Sequence, residues 1–137
     1  MAKSRAAPTS GNKRTDKFFR KVIRILNSRK IEKIILVKKL WDPEKKKREY
    51  LCGLVETAEA ENRYAIYLSN DKRKNPSKDE IARTLLHEVL HVINMKKWEW
   101  RIRFEEKYWW CKFSEKQKKF LETYIPKRSC KYKPSNN

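Results

Sequence analysis

Histidine is nearly missing from this chain: its 137 residues include two, and both stand in one stretch, His87-Glu88-Val89-Leu90-His91. Apolar runs of the length a membrane span requires are missing too, and no apolar stretch near the N-terminus could act as a secretory signal. The expectation is an intracellular, cytoplasmic protein with no membrane partner, in which Cys52, Cys111 and Cys130 stay reduced. Those cysteines form no C-x-x-C pair, which argues against a zinc ribbon or a redox dithiol. Acidic residues stop at Glu122. Finger, RNP and basic-zipper patterns are absent, so nothing specifies base readout, and there is no internal repeat.

What is present begins with charge. The net charge is +19, with basic runs through Lys3 to Arg14, Arg20 to Arg24, Lys45 to Arg48, Lys72 to Lys78 and Lys127 to Lys133. Such a field attracts polyanions, so nucleic acid and acidic protein substrates are the expected partners; a merely solubilising surface is the plainer reading. Hydrophobic residues make up 39%, with five Trp, six Tyr and five Phe. That composition fits one packed domain, with the aromatics read as core rather than as a stacking platform.

The histidine stretch reads H-E-x-x-H. On a helix, positions i and i+4 share a face, so two imidazoles can close on one zinc ion while the glutamate between them reaches a water. Two histidines that only pack or face solvent are the alternative. The flanking residues supply the helix: Ser77 and Glu80 have capping-box spacing, with Pro76 just before. Ile81, Leu85, Val89 and Val92 recur at helical spacing, widened by Ala82, Leu86, Leu90 and Ile93. Glu80, Thr84, His87, Glu88 and His91 form the single polar stripe, which predicts the floor of a cleft.

A catalytic zinc takes three protein ligands, and no third histidine exists. The segment Trp98 to Phe113 offers Glu99, Glu105, Glu106 and Cys111. Drawn as a helix, it places Glu106 among Ile102, Trp109, Trp110 and Phe113, and Glu105 in a stripe with Arg101 and Lys112. A carboxylate in an apolar face needs a partner, and a metal would be one, so Glu106 is the expected third ligand and Glu105 the runner-up. For either, a solvated acid paired with neighbouring Lys and Arg is the plainer alternative.

Thr84-Leu-Leu-His-Glu-Val-Leu-His91, with a strand-like Tyr64-Ala-Ile-Tyr-Leu-Ser69 before it and a Glu-Glu pair after it, resembles the small zincins of gluzincin type. It is most similar to the phage and prokaryotic IrrE/ImmA-like metallopeptidase domains, and more distantly to SprT-like domains, over about residues 30 to 125. The resemblance implies an α+β zincin-like fold: an N-terminal helix, a small, about three-stranded, mostly antiparallel sheet, an active-site helix, and one or two C-terminal helices. It implies a zinc metallopeptidase with one Zn2+ on His87, His91 and Glu106 or Glu105, and Glu88 as general base. It also implies a tyrosine donor to the oxyanion, for which Tyr108 and Tyr124 are the candidates. The chain departs from the IrrE/ImmA pattern in having Lys107-Tyr-Trp-Trp110 after the acidic pair, and it lacks the downstream histidine of the SprT-like pattern.

The remaining chain divides as follows. Residues 1–14 read as a flexible basic arm, 15–125 as the metallopeptidase domain, and 126–137 as a mobile basic tail. A first helix starts after Thr15 or Asp16 and packs Phe18, Phe19, Val22, Ile23 and Leu26. Strands are expected over Ile31 to Trp41, Tyr50 to Val55 and Tyr64 to Ser69, with a turn at Asp42-Pro43-Glu44. Ser114 and Gln117 predict a last capped helix carrying Phe120, Leu121 and Tyr124 inward. The third strand is the expected docking edge for an extended peptide, a placement that rests on the resemblance. In such a site zinc would polarise the scissile carbonyl and acidify a water, whose proton Glu88 would take and pass to the leaving amine. A domain in which zinc only holds the fold, a nucleic-acid-binding module, and a DNA-associated protease are the other readings.

Overall fold

The computed structural model describes residues 7–58 and 62–134. In chain order it contains α1 (Lys13–Leu26), β1 (Ile31–Val37), β2 (Gly53–Thr57), β3 (Tyr64–Ser69), α2 (Lys78–Ile93), α3 (Glu99–Lys112), α4 (Glu115–Glu122) and β4 (Ser129–Cys130). The fold is α+β, as expected.

Helix starts follow their caps. The Asn12 side chain accepts the Thr15 N–H at 2.9 Å and opens α1 earlier than Thr15 or Asp16 would. Ser77 accepts from Glu80 N and opens α2 where the sequence placed it. Ser114 and Gln117 form a reciprocal capping box on α4, satisfying two backbone donors that would otherwise be orphaned.

The sheet differs from expectation. It has four strands in the order β2-β3-β1-β4. β1 pairs parallel with both β3 and β4, and only β2 with β3 is antiparallel, so the sheet is mixed rather than mostly antiparallel. The cause is the connection over residues 38–52, which carries the chain to the far edge before β2 turns back into β3. β3 therefore lies between β2 and β1 and is not an edge. The first strand stops at Val37, and the second begins at Gly53; Trp41 and Tyr50 meet only as an isolated bridge.

The main core packs Phe19, Val22, Leu85, Leu86, Val89, Ile102 and Leu121 against Ile66 and Leu68. Each such side chain contributes about 1.5–3 kcal/mol by leaving water. A smaller cluster joins Val37, Leu40, Ala65, Tyr67 and Tyr132. Through it the C-terminal segment becomes structural: β4 pairs with β1, and the Tyr132 hydroxyl donates to Glu56 Oε2 at 3.0 Å. The mobile tail expected from residue 126 is thus corrected as far as Tyr132, because two aromatic rings, Trp41 and Tyr67, seat the Tyr132 side chain edge-on.

Part of the expected flexible arm is pinned as well. Ser10 donates to Asp16 through both its backbone N–H and its hydroxyl, and buried Gln117 donates to Asp16 Oδ1 and to the Pro8 carbonyl. Residues 1–6 of that arm and residues 135–137 of the tail lie outside the described residues. The aromatics also divide: Trp110 and Phe113 are buried as expected, whereas Trp98, Trp100 and Phe104 stand in solvent.

Candidate metal centre

α2 is buried on the arc that carries Ile81, Leu85, Val89 and Val92, and its polar stripe faces outward between β2 and α3. A cleft of about 630 Å³ opens there, with Glu80, Thr84, His87 and Glu88 among its lining residues. The stripe is therefore a cleft wall, as the 3.6-residue period predicted.

His87 and His91 stand one turn apart with ring centroids 5.0 Å from each other. After α2 ends at Ile93 the chain turns back, and the first residue of α3 is Glu99. Its two carboxylate oxygens meet the two imidazoles: Oε2 lies 3.1 Å from His87 Nε2 and Oε1 lies 2.9 Å from His91 Nε2. One ligand atom from each of His87, His91 and Glu99 falls within 4.8 Å of the others, a group that can hold a metal ion. The two short distances go to different oxygens of the one carboxylate, so Glu99 bridges the two imidazoles.

Neither expected third ligand belongs to this group. Glu106 does occupy the apolar face of α3, but its Oε1 is 2.8 Å from Nδ1 of His87, the nitrogen turned away from Glu99, and its Oε2 accepts from Arg83. Glu105 is held by Lys97 at 2.7 Å and by Arg101 at 3.1 Å. Both carboxylates are half-buried, with side chains 15% and 16% exposed, so burial does not separate them. Each is bonded to basic side chains, Glu106 to Arg83 of α2 and Glu105 to Lys97 and Arg101, the plainer alternative for both. Cys111 points elsewhere, its Sγ donating to the Tyr108 carbonyl.

Protonation follows from these contacts. Burial opposes a charge on His87, but the hydrogen bond to Glu106 and the charges of Glu88, Glu99 and Glu106 outweigh it and raise its pKa. Burial and the neighbouring His87 lower the pKa of His91. Burial would raise Glu106, yet its bonds to His87 and Arg83 hold it below the usual carboxylate range. Glu106 is thus an anion that fixes the His87 ring through Nδ1 and leaves Nε2 to face the cleft, the arrangement that orients metal-ligating histidines.

Glu88 behaves differently. It is buried, and it accepts no hydrogen bond from another of the described residues. Burial pushes its carboxyl up to about 7, opposed by His87 and reinforced by Glu99 and Glu106. A carboxyl that titrates near neutrality at a cleft is suited to take and return a proton. Its neighbour across the cleft is Gly53, the first residue of β2, where an added Cβ would lie 2.7 Å from Glu88 Oε2 and 2.7 Å from Thr84 Cγ2. Only glycine lets the strand approach so closely. Asn75 fixes that strand: its side-chain amide donates to the Cys52 and Ser69 carbonyls and its Oδ1 accepts from Thr84.

The two tyrosines do not reach the cleft. The Tyr124 hydroxyl donates to Asn27 Oδ1 at 2.8 Å, at the C-terminal end of α1, and Tyr108 packs on Trp109 under Lys112. Tyr50, Arg83, Arg103 and Lys107 line the cleft instead. Gly53 and Asn75 were not singled out from the sequence, although Gly53 is one of only two glycines in the chain. Compared with protein-family models, with curated proteins and with solved structures, the chain matches none of them.

Proposed function

We propose that the chain is a metal-dependent peptidase that holds one zinc ion on His87, His91 and Glu99 and uses Glu88 as its general base. The observation that carries this reading is the conjunction of a histidine-histidine-carboxylate group with a buried, unbonded glutamate beside it in an open cleft. A site that only stapled the fold would have no use for that glutamate or for an opening to solvent.

Zinc bound there would supply Lewis acidity to a carbonyl and to water. The residues do the rest. Glu88, titrating near neutrality, accepts a proton from water in the cleft and returns it to the departing amine. Glu106 and Arg83 keep the His87 ring in place. β2 is an edge strand that begins at Gly53 next to Glu88, so an extended peptide can add to it through backbone hydrogen bonds; β3, paired on both sides, cannot serve. The cleft carries Lys74, Arg83, Arg103 and Lys107 against Glu80, Glu88, Glu99 and Glu106, so attraction for an acidic segment comes from the net charge of +19 of the whole chain.

The test is metal analysis of the purified chain together with hydrolysis of an unstructured acidic protein. The expected result is about one zinc per chain, and a Glu88→Gln variant that retains zinc while losing hydrolysis. Full zinc occupancy in His87→Ala would refute the reading.

A further inference from the structure

Large rings stand in solvent along one face of α3. Trp100 is 65% exposed, Phe104 62% and Tyr108 38%, with Trp98 at the helix cap 74% exposed. These are not spare core residues, because the opposite face already buries Ile102 and Trp110. Exposed apolar side chains scattered singly need no explanation, whereas a contiguous row marks a binding surface. Trp100, Phe104 and Tyr108 recur every fourth residue and so lie on one line along the helix.

That line is edged with positive charge. Arg103 and Lys107 flank it on one side and Arg101 on the other, and Lys112 continues the line one turn beyond Tyr108, all of them exposed. The Lys112 ammonium sits 4.9 Å from the centroid of the Tyr108 ring. The glutamates of the same helix cancel part of this: Glu99 Oε2 lies 3.1 Å from Arg103 Nε and Glu105 Oε2 lies 3.1 Å from Arg101 Nε, which leaves Lys107 and Lys112 without a carboxylate partner among the described residues. Glu105 and Glu106 are turned inward, with side chains 15% and 16% exposed, and Glu99 faces the two histidines.

We propose that this face of α3 binds single-stranded nucleic acid, with Trp100, Phe104 and Tyr108 stacking on bases and the flanking Arg and Lys meeting phosphates. Rings four residues apart are spaced about 6 Å along a helix. A ring slid between two stacked bases doubles their 3.4 Å separation to about 6.8 Å, so successive rings match an opened single strand and not a closed duplex. Stacking tolerates any base, and a basic groove beside aromatic rings is the usual form of sequence-independent single-strand binding. A net charge of +19 supplies the long-range attraction.

The experiment is titration of the full chain with a fluorescently labelled oligothymidylate and with a duplex of the same length, each over a series of salt concentrations. The single strand should bind more tightly than the duplex at raised salt. Phe104→Ala and Trp100→Ala should each weaken single-strand binding, by about fivefold to a hundredfold per ring, without changing the salt slope. Lys107→Gln should reduce that slope by about one. Phe104→Trp should keep the affinity and Phe104→Leu should lose it, which separates stacking from mere apolar contact. All these side chains are exposed, so the variants should fold; circular dichroism checks that they do. Unchanged single-strand affinity in both alanine variants would overturn the proposal. So would a wild-type chain that dimerises through this face, seen as a doubled mass by size-exclusion chromatography that returns to the single-chain mass in Trp100→Ala.

Discussion

Replacing Glu88 by glutamine should stabilise the metal-free protein at alkaline pH. In the fold the carboxyl has its pKa raised from 4.5 to about 7, so the folded state holds a proton that the unfolded chain has already released. Stability therefore falls as pH rises from about 4.5 to 7, and the loss is complete above that window. At 1.36 kcal/mol per unit, the shift corresponds to roughly 3 kcal/mol at pH 8. Glutamine has nearly the shape of the carboxyl and cannot ionise, so it escapes this penalty. His87 and Glu106 also titrate differently in the fold, which makes the wild-type curve alone a mixture; the gap between wild type and variant isolates Glu88. Urea denaturation of both proteins in chelator at pH 5 and pH 8 measures that gap. It should be small at pH 5 and about 2–3 kcal/mol in favour of the variant at pH 8, or about 10 °C in melting temperature for a chain of this size. A gap that stays flat with pH would refute the claim that burial strains this carboxylate.

Other outcomes follow from the same geometry. Glu99→Ala should abolish zinc binding about as thoroughly as His91→Ala, whereas Glu106→Gln should weaken it by about 10–100-fold through a misplaced His87 ring; competition with a fluorescent zinc chelator gives both values. Gly53→Ala forces a methyl group into Glu88 and Thr84, and should cost about 1–3 kcal/mol in urea denaturation along with most of the hydrolytic rate. Tyr132→Ala removes a buried ring between Trp41 and Tyr67 and should cost about 3 kcal/mol by the same measurement.

The helical part of the fold was legible because its signals are local. Ser77, Ser114 and the apolar spacing of α2 lie within a few residues of what they specify, and the polar stripe with His87, Glu88 and His91 follows from period alone. Strand order is not local. Tyr64 to Ser69 reads as a strand from its alternation, but nothing in those six residues says that Gly53–Thr57 will pair on one side and Ile31–Val37 on the other. The third ligand shows the same limit. Glu106 reads as the ligand because a carboxylate on an apolar face needs a partner, and it finds partners in Arg83 and His87, the first of them the kind of basic pairing that is the plainer reading of the sequence. Glu99 lies eight residues beyond His91, where only the tightness of the turn after Ile93 decides that it folds back onto the histidines. Tyr132 was given to a mobile tail because its neighbours are basic, although a single aromatic residue with two ring partners is enough to anchor them.

The bonds from Gln117 to Pro8 and Asp16, and the pairing of Ser129–Cys130 with β1, set a temporal order on this molecule. They join residues separated by about 100 positions, and contacts so distant in the chain are reached late and together. During synthesis at about 5–20 residues per second, His87 and His91 leave the ribosome seconds before the segments that close the fold around them. The nascent chain thus carries the histidine motif before the segments that complete the fold are available to it.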